Sequence, residues 1–122
     1  MRRQTVRQVK ERMSQRHCLA LDLQDDPELI AEYRRYHDDV WPEIIETIRE
    51  SGIENMEIYL LGNRMFMIMD TVDDFSFEDK ARLDADNPAV QKWEQLMWTF
   101  QKALPQAKPG EKWLAMERIF TL

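Results

Sequence analysis

An α+β, ferredoxin-like sandwich in the order βαββαβ is what this sequence predicts, and three observations predict it. Apolar residues alternate with their neighbours in several short stretches, the mark of half-buried strands. The pairs Asp26-Pro27 and Asn87-Pro88 each precede a segment whose apolar residues recur at three or four positions, as they do along an α-helix. The pair Gly62-Asn63 joins two of the alternating runs directly, as a hairpin turn does.

Taken in order, the first strand is expected over His17–Leu23, where Leu19, Leu21 and Leu23 alternate with Cys18, Ala20 and Asp22. Asp26 then offers a carboxylate to the free amides of a first helical turn, Pro27 suits its first position, and Glu28 suits the positive end of its dipole. Leu29, Ile30, Tyr33, Val40 and Trp41 keep a rough helical period, with Arg34, Arg35, Asp38 and Asp39 turned mostly to water. Pro42 interrupts that helix, because it lacks an amide proton and biases Trp41 away from helical angles. A second piece from Glu43 to Glu50 carries Ile44, Ile45 and Ile48 inward and ends at Gly52 as a left-handed cap.

Two strands follow, Glu54–Leu61 with Met56, Ile58 and Leu60 on one face, and Arg64–Thr71 with Met65, Met67 and Met69. Methionine can line an adaptable pocket, but these three read more readily as core filler. Asp73 or Asp74 is placed to cap a short helix through Phe77, Ala81 and Leu83. The helix after Asn87-Pro88 carries Val90, Trp93, Met97 and Phe100, with both Trp93 and Trp98 expected in the core. A closing strand is expected over Lys112–Leu122, Leu114, Met116, Arg118 and Phe120 alternating with Trp113, Ala115, Glu117 and Ile119. Helices on one side of such a sheet leave its other face bare, and a second copy is the usual cover. A homodimer, in the form of a dimeric α/β barrel, is therefore expected.

The 122 residues hold one domain with one core, and 33% charged content is ordinary for a globular chain. No apolar run approaches the ~20 residues that span a bilayer, so no membrane is expected as partner. The single Cys18 forbids an internal disulfide, no Cys/His grouping has zinc spacing, and a cytoplasmic protein is the default. Arg2, Arg3, Arg7, Lys10, Arg12 and Arg16 stand near the start against Glu11 alone, so the body is more acidic than the net −6 implies. An acidic body argues against a nucleic-acid partner. Residues 1–15 read as a basic, disordered extension, or as an upstream start ahead of Met13, and 16–122 as the folded domain.

The stretch Tyr33–Glu43 carries the candidate chemistry. On a continuous helix, Tyr33, His37 and Trp41 fall at i, i+4 and i+8 and share one face, presenting a hydroxyl, an imidazole and an indole. Histidine is the side chain whose unperturbed pKa, about 6.5, suits proton exchange near neutrality. The plainer alternative is a histidine that packs at a helix end and bonds a backbone carbonyl.

The spacing Tyr33-x3-His37-x3-Trp41-Pro42-Glu43, the run from Gly52 to Tyr59, Trp93 with Met97, and a closing strand with Glu117 and Phe120 together resemble the L-rhamnose mutarotase family. The resemblance covers roughly residues 17–122. It implies a cofactor-free, metal-free, dimeric ferredoxin-like isomerase that interconverts the α and β anomers of a 6-deoxy-L-hexose. His37 matches the family's proton donor, and Tyr33 and Trp93 match residues that contact the sugar. Two sugar-contacting positions differ, since Glu94 stands where the family has a second tryptophan and Met56 where it has a tyrosine. The stretches Glu57-Ile58-Tyr59 and Arg64-Met65-Phe66 look more like the branch associated with L-fucose.

The chemistry needs one acid and one base near the sugar, worth roughly 10²–10⁴-fold. His37 can serve as the acid; Tyr33, Glu94 or an ordered water can serve as the base. Trp93 and Trp41 can stack on the apolar face of a deoxy-sugar. One rival is a small dimeric α/β-barrel monooxygenase with a flat apolar substrate or a haem held by His37. Another is a sugar-binding module without catalysis.

Overall fold

The computed structural model describes residues 14–122. The basic extension thus lies outside the described residues, except for Ser14 and Gln15, which open the first strand. That strand, β1 (Ser14–Leu23), is the middle of an antiparallel sheet. One side of it pairs with β3 (Arg64–Val72), which pairs in turn with β2 (Ile53–Leu61). The other side is shared by two short strands, β4 (Gln101–Lys102) and β5 (Leu114–Ala115). Four helices complete the ferredoxin-like chain: α1 (Pro27–Asp38), α2 (Pro42–Glu50), α3 (Phe77–Ala85) and α4 (Pro88–Trp98). Among the described residues, no helix is long and apolar enough to cross a membrane.

Local chemistry sets most of the boundaries. Asp26 Oδ1 accepts from the amides of Glu28 at 2.9 Å and Leu29 at 3.3 Å, and Asn87 Oδ1 does the same for Ala89 and Val90. Gly52 ends α2 at φ +98°, where an added Cβ would lie 2.8 Å from Val72 Cγ2. Leu61 and Arg64 face each other across the two-residue Gly62-Asn63 turn.

Several expectations need correction. α1 stops at Asp38, so Trp41 lies outside it and no single helix face carries Tyr33, His37 and Trp41. The cause is Pro42: its ring excludes helical ψ at Trp41, which sits at φ −52°, ψ 131° as the residue before α2. The cap of α3 is Ser76, whose Oγ accepts from the Asp79 amide, and not Asp73 or Asp74. Trp98 is 39% exposed, with the Lys112 ammonium 4.9 Å above its ring, and only Trp93 joins the core. The closing strand shrinks to Leu114–Ala115, and the chain beyond Met116 runs exposed to Leu122.

Cross-strand partners share a sheet face, so the registers sort the side chains. Toward the helices point Leu19, Leu21 and Leu23 of β1 and Met65, Met67 and Met69 of β3, all buried. The opposite face is a small grid. The pairs Ala20–Phe66 and Cys18–Ile68 form its centre, bordered by the ion pairs Asp22–Arg64 at 2.5 Å and Arg16–Asp70 at 2.9 Å.

Candidate active site

Helices and sheet do not close on each other completely, and a cleft of about 1010 Å³ remains between them. The methionines of β3 form part of its lining while also serving as core, so both readings of them hold. Of the residues singled out from sequence, Tyr33, His37, Met56, Trp93 and Glu94 line this cleft. Trp41 does not. Its ring meets Trp93 edge-on at 5.1 Å, from which position it supports the neighbouring indole.

His37 occupies the last turn of α1, its imidazole 4.4 Å from the Tyr33 ring and 5.8 Å from Trp93. Its Nδ1 lies 2.9 Å from the Tyr33 carbonyl oxygen. A carbonyl only accepts, so Nδ1 carries the proton of that bond. The neutral ring then has its lone pair on Nε2, and the protonated ring has a second N–H there. Bonding a backbone carbonyl, the plain role for a histidine, therefore coexists with a position in the cleft wall.

Tyr33 is buried, and its hydroxyl oxygen accepts from Gln101 Nε2 at 3.2 Å. Burial pushes its pKa up to about 12; the Gln101 hydrogen bond opposes this and the Glu94 charge adds to it. The phenol thus keeps its proton near neutrality. A protonated phenol can donate a hydrogen bond but cannot serve as a base. Glu94 is held by Lys112, whose Nζ donates to Oε2 at 2.6 Å and to the Glu94 carbonyl at 3.0 Å. Met56 stands opposite Met69 on the helix-side face of β2.

Three cleft neighbours escaped the sequence reading. Lys112 and Trp113 fell inside an expected strand, where periodicity assigns a face but no partner. Gln101 lies just past α4, with no pattern on either side to mark it. Yet it is only 5% exposed, lines the cleft, and its Oε1 has no hydrogen-bond partner among the described residues.

Fold and cleft together define a ferredoxin-like protein with a histidine set among aromatic and thioether side chains in its cleft wall. Comparison with known proteins narrows that class. Residues 16–122 match the L-rhamnose mutarotase family, and the chain belongs to it. It is 48% identical to an L-fucose mutarotase of Xanthomonas campestris pv. campestris over 110 residues, 88% of each chain. It is 28% identical to an L-rhamnose mutarotase of Tolumonas auensis over 93 residues, 75% of this chain and 82% of that one. Among solved structures, an L-rhamnose mutarotase from Formosa agariphila superposes with a TM-score of 0.65 at 21% identity, over 88% of this chain and 98% of that one. Tetracenomycin F2 cyclase from Streptomyces glaucescens shares the fold at a TM-score of 0.57 and 15% identity, with the same coverage.

Proposed function

We propose that this chain is a sugar mutarotase, a carbohydrate isomerase that exchanges the α and β anomers of a 6-deoxy-L-hexose, with L-fucose preferred over L-rhamnose. Family membership and the similarity to the Xanthomonas enzyme support the reaction class. The observation that carries the mechanism is the orientation of His37, with Nδ1 tied to its own helix and Nε2 left for the sugar.

In the reaction a proton goes to the ring oxygen while the C1 hydroxyl loses one. The C1–O5 bond breaks as the C1 carbonyl forms. The aldehyde turns about C1–C2, and the C5 hydroxyl adds to its other face, returning both protons. His37 is the acid when protonated at Nε2 and takes the proton back on closure. Tyr33 donates a hydrogen bond to the sugar, and Trp93 offers it an apolar face. Glu94, fixed by Lys112, or an ordered water completes the proton circuit. The monooxygenase and the non-catalytic module are not favoured, since neither belongs to the family that this chain matches.

We further propose a homodimer through the bare sheet face. Its centre is apolar, its borders carry charges of both signs, and β2 adds exposed Tyr59 and Leu61 beside them. The exposed segment from Met116 to Leu122, with Ile119 at 91% and Phe120 at 76%, offers further apolar cover to the same seam. A cytoplasmic setting suits the single free Cys18.

The test is anomer exchange followed by saturation-transfer NMR on L-fucose, L-rhamnose and ordinary hexoses. Exchange of L-fucose well above the buffer rate, and above that of L-rhamnose, is the expected result. Binding without accelerated exchange would replace the enzyme by a sugar-binding module.

A further inference from the structure

We propose that Gln101 is a specificity-determining sugar-binding residue: its side-chain amide, together with the Tyr33 hydroxyl, receives one hydroxyl group of the pyranose. The proposal rests on the anomer-exchange reading above and assigns a ligand contact beyond the positions which the family resemblance supplies.

Buried polar atoms are nearly always hydrogen-bonded, so a buried amide oxygen with no donor requires an explanation. Gln101 Oε1 is such an atom, in a residue that lines the cleft. The other end of the same amide donates to the Tyr33 hydroxyl oxygen. That bond uses the phenol as acceptor and leaves its proton free for another partner. An acceptor, Oε1, and a donor, the Tyr33 O–H, therefore stand side by side in the wall. A sugar hydroxyl is both donor and acceptor. It can give its proton to Oε1 and receive the phenol proton at its own oxygen. Were the amide turned over, Oε1 would accept from Tyr33 and Nε2 would offer the donor, so one Gln101 group faces the ligand in either orientation.

The amide is also held in place. Gln101 pairs with Leu23 in the β1–β4 ladder, and Gln24 clasps the backbone on both sides of it, its amide donating to the Phe100 carbonyl at 2.8 Å and its Nε2 to the Gln101 carbonyl at 3.0 Å. On the other side Tyr33 connects it to His37, whose Nδ1 donates to the Tyr33 carbonyl. Gln101, Tyr33 and His37 thus form one rigid row, with a hydroxyl receptor at one end and the proton-transfer nitrogen at the other. Such a row fixes which hydroxyl is held when the anomeric centre meets Nε2, and that is a choice between stereoisomers. A site built to bond a hydroxyl also rejects sugars that lack it there, because its own polar groups are left unpaired.

The test compares the full chain with Gln101→Leu on L-fucose and on its 2-, 3- and 4-deoxy derivatives, by anomer exchange. The variant is expected to lose on the order of 10- to 100-fold in kcat/KM on L-fucose. For one deoxy derivative, wild type and variant are expected to exchange at equal rates, because the group and its partner are removed by the same contact. A variant within twofold of wild type on L-fucose overturns the proposal. So does an equal loss on every deoxy derivative, which would make Gln101 only a support for Tyr33. Should Gln101→Leu fail to fold, the side-chain 15NH2 signals of Gln101 in the wild type decide: they must shift as L-fucose is added, and unmoved signals at saturation overturn the contact. A wild type that exchanges no 6-deoxyhexose sinks the mutarotase reading instead, and the 15N titration then still reads whether Gln101 meets the sugar.

Discussion

Asparagine at position 37 retains polar groups of similar size but cannot act as a proton donor of histidine's kind. His37→Asn should therefore lose about the 10²–10⁴-fold that general acid–base catalysis supplies, with much smaller change in L-fucose affinity, since Tyr33 and Trp93 remain. Exchange rates and sugar titrations on the same preparation check both halves. Tyr33 makes a prediction in pH. An unfolded tyrosine ionises near pH 10 and Tyr33 at about 12, so between these values the unfolded chain sheds a proton that the folded chain keeps. The stability contributed by the neutral phenol is complete below about pH 10 and is lost as pH rises towards 12, about 3 kcal/mol in all. Stability measured by denaturant unfolding should fall more steeply with pH across that range for the wild type than for Tyr33→Phe. The double variant Met56→Tyr with Glu94→Trp should shift preference towards L-rhamnose, and an unchanged ratio of L-fucose to L-rhamnose rates would place substrate choice elsewhere. At this scale the sequence disclosed the residues with a chemical signature, His37 above all. It was silent on Gln101, whose isolation comes from burial that no local pattern encodes.

Short-range chemistry made the helix starts legible, because Asp26-Pro27 and Asn87-Pro88 state cap and first turn within three residues. Helix ends depend on more. Pro42 announced a break, but the chain leaves α1 at Asp38, three residues before Trp41, because the pre-proline residue needs extended angles and room to reach them. The closing strand was over-read for a different reason: alternation over Leu114–Phe120 reports that a segment suits a sheet, not that a partner strand lies beside it. Gly52 offers the test at this scale. Alanine there must hold a positive φ, at roughly 1–2 kcal/mol, and must displace Val72 as well. Gly52→Ala should lower the melting temperature measurably more than Asn87→Ala, whose lost cap costs about 1 kcal/mol.

Across the whole molecule the sheet has two different duties. One face holds the cleft against the helices, and the other carries the apolar grid between its two ion pairs. A charge introduced on the second face should therefore disturb association without touching the first. Ile68→Glu is expected to turn the proposed dimer into a monomer by light scattering, while Met67, next in the strand, still faces the cleft. A wild type that is already monomeric at high concentration would remove the seam. The fold alone would not have led to sugar chemistry, since a polyketide cyclase shares it. The reading depends on the residues in the cleft and on the family to which they belong.

The eight methionines also make the chain a recorder of oxidation. Met65 and Met69 are at most 3% exposed, whereas Met116, at the start of the C-terminal segment, is 51% exposed. Peroxide should therefore convert Met116 to its sulfoxide well before the buried Met65 and Met69, an order that peptide mass spectrometry reads directly. If the seam forms as proposed, that reaction slows as protein concentration rises. The sulfoxide, once made, places a polar group among apolar ones and weakens the seam in turn. Oxidant exposure and subunit association would then be linked through one thioether, with the buried methionines of β3 left unmodified.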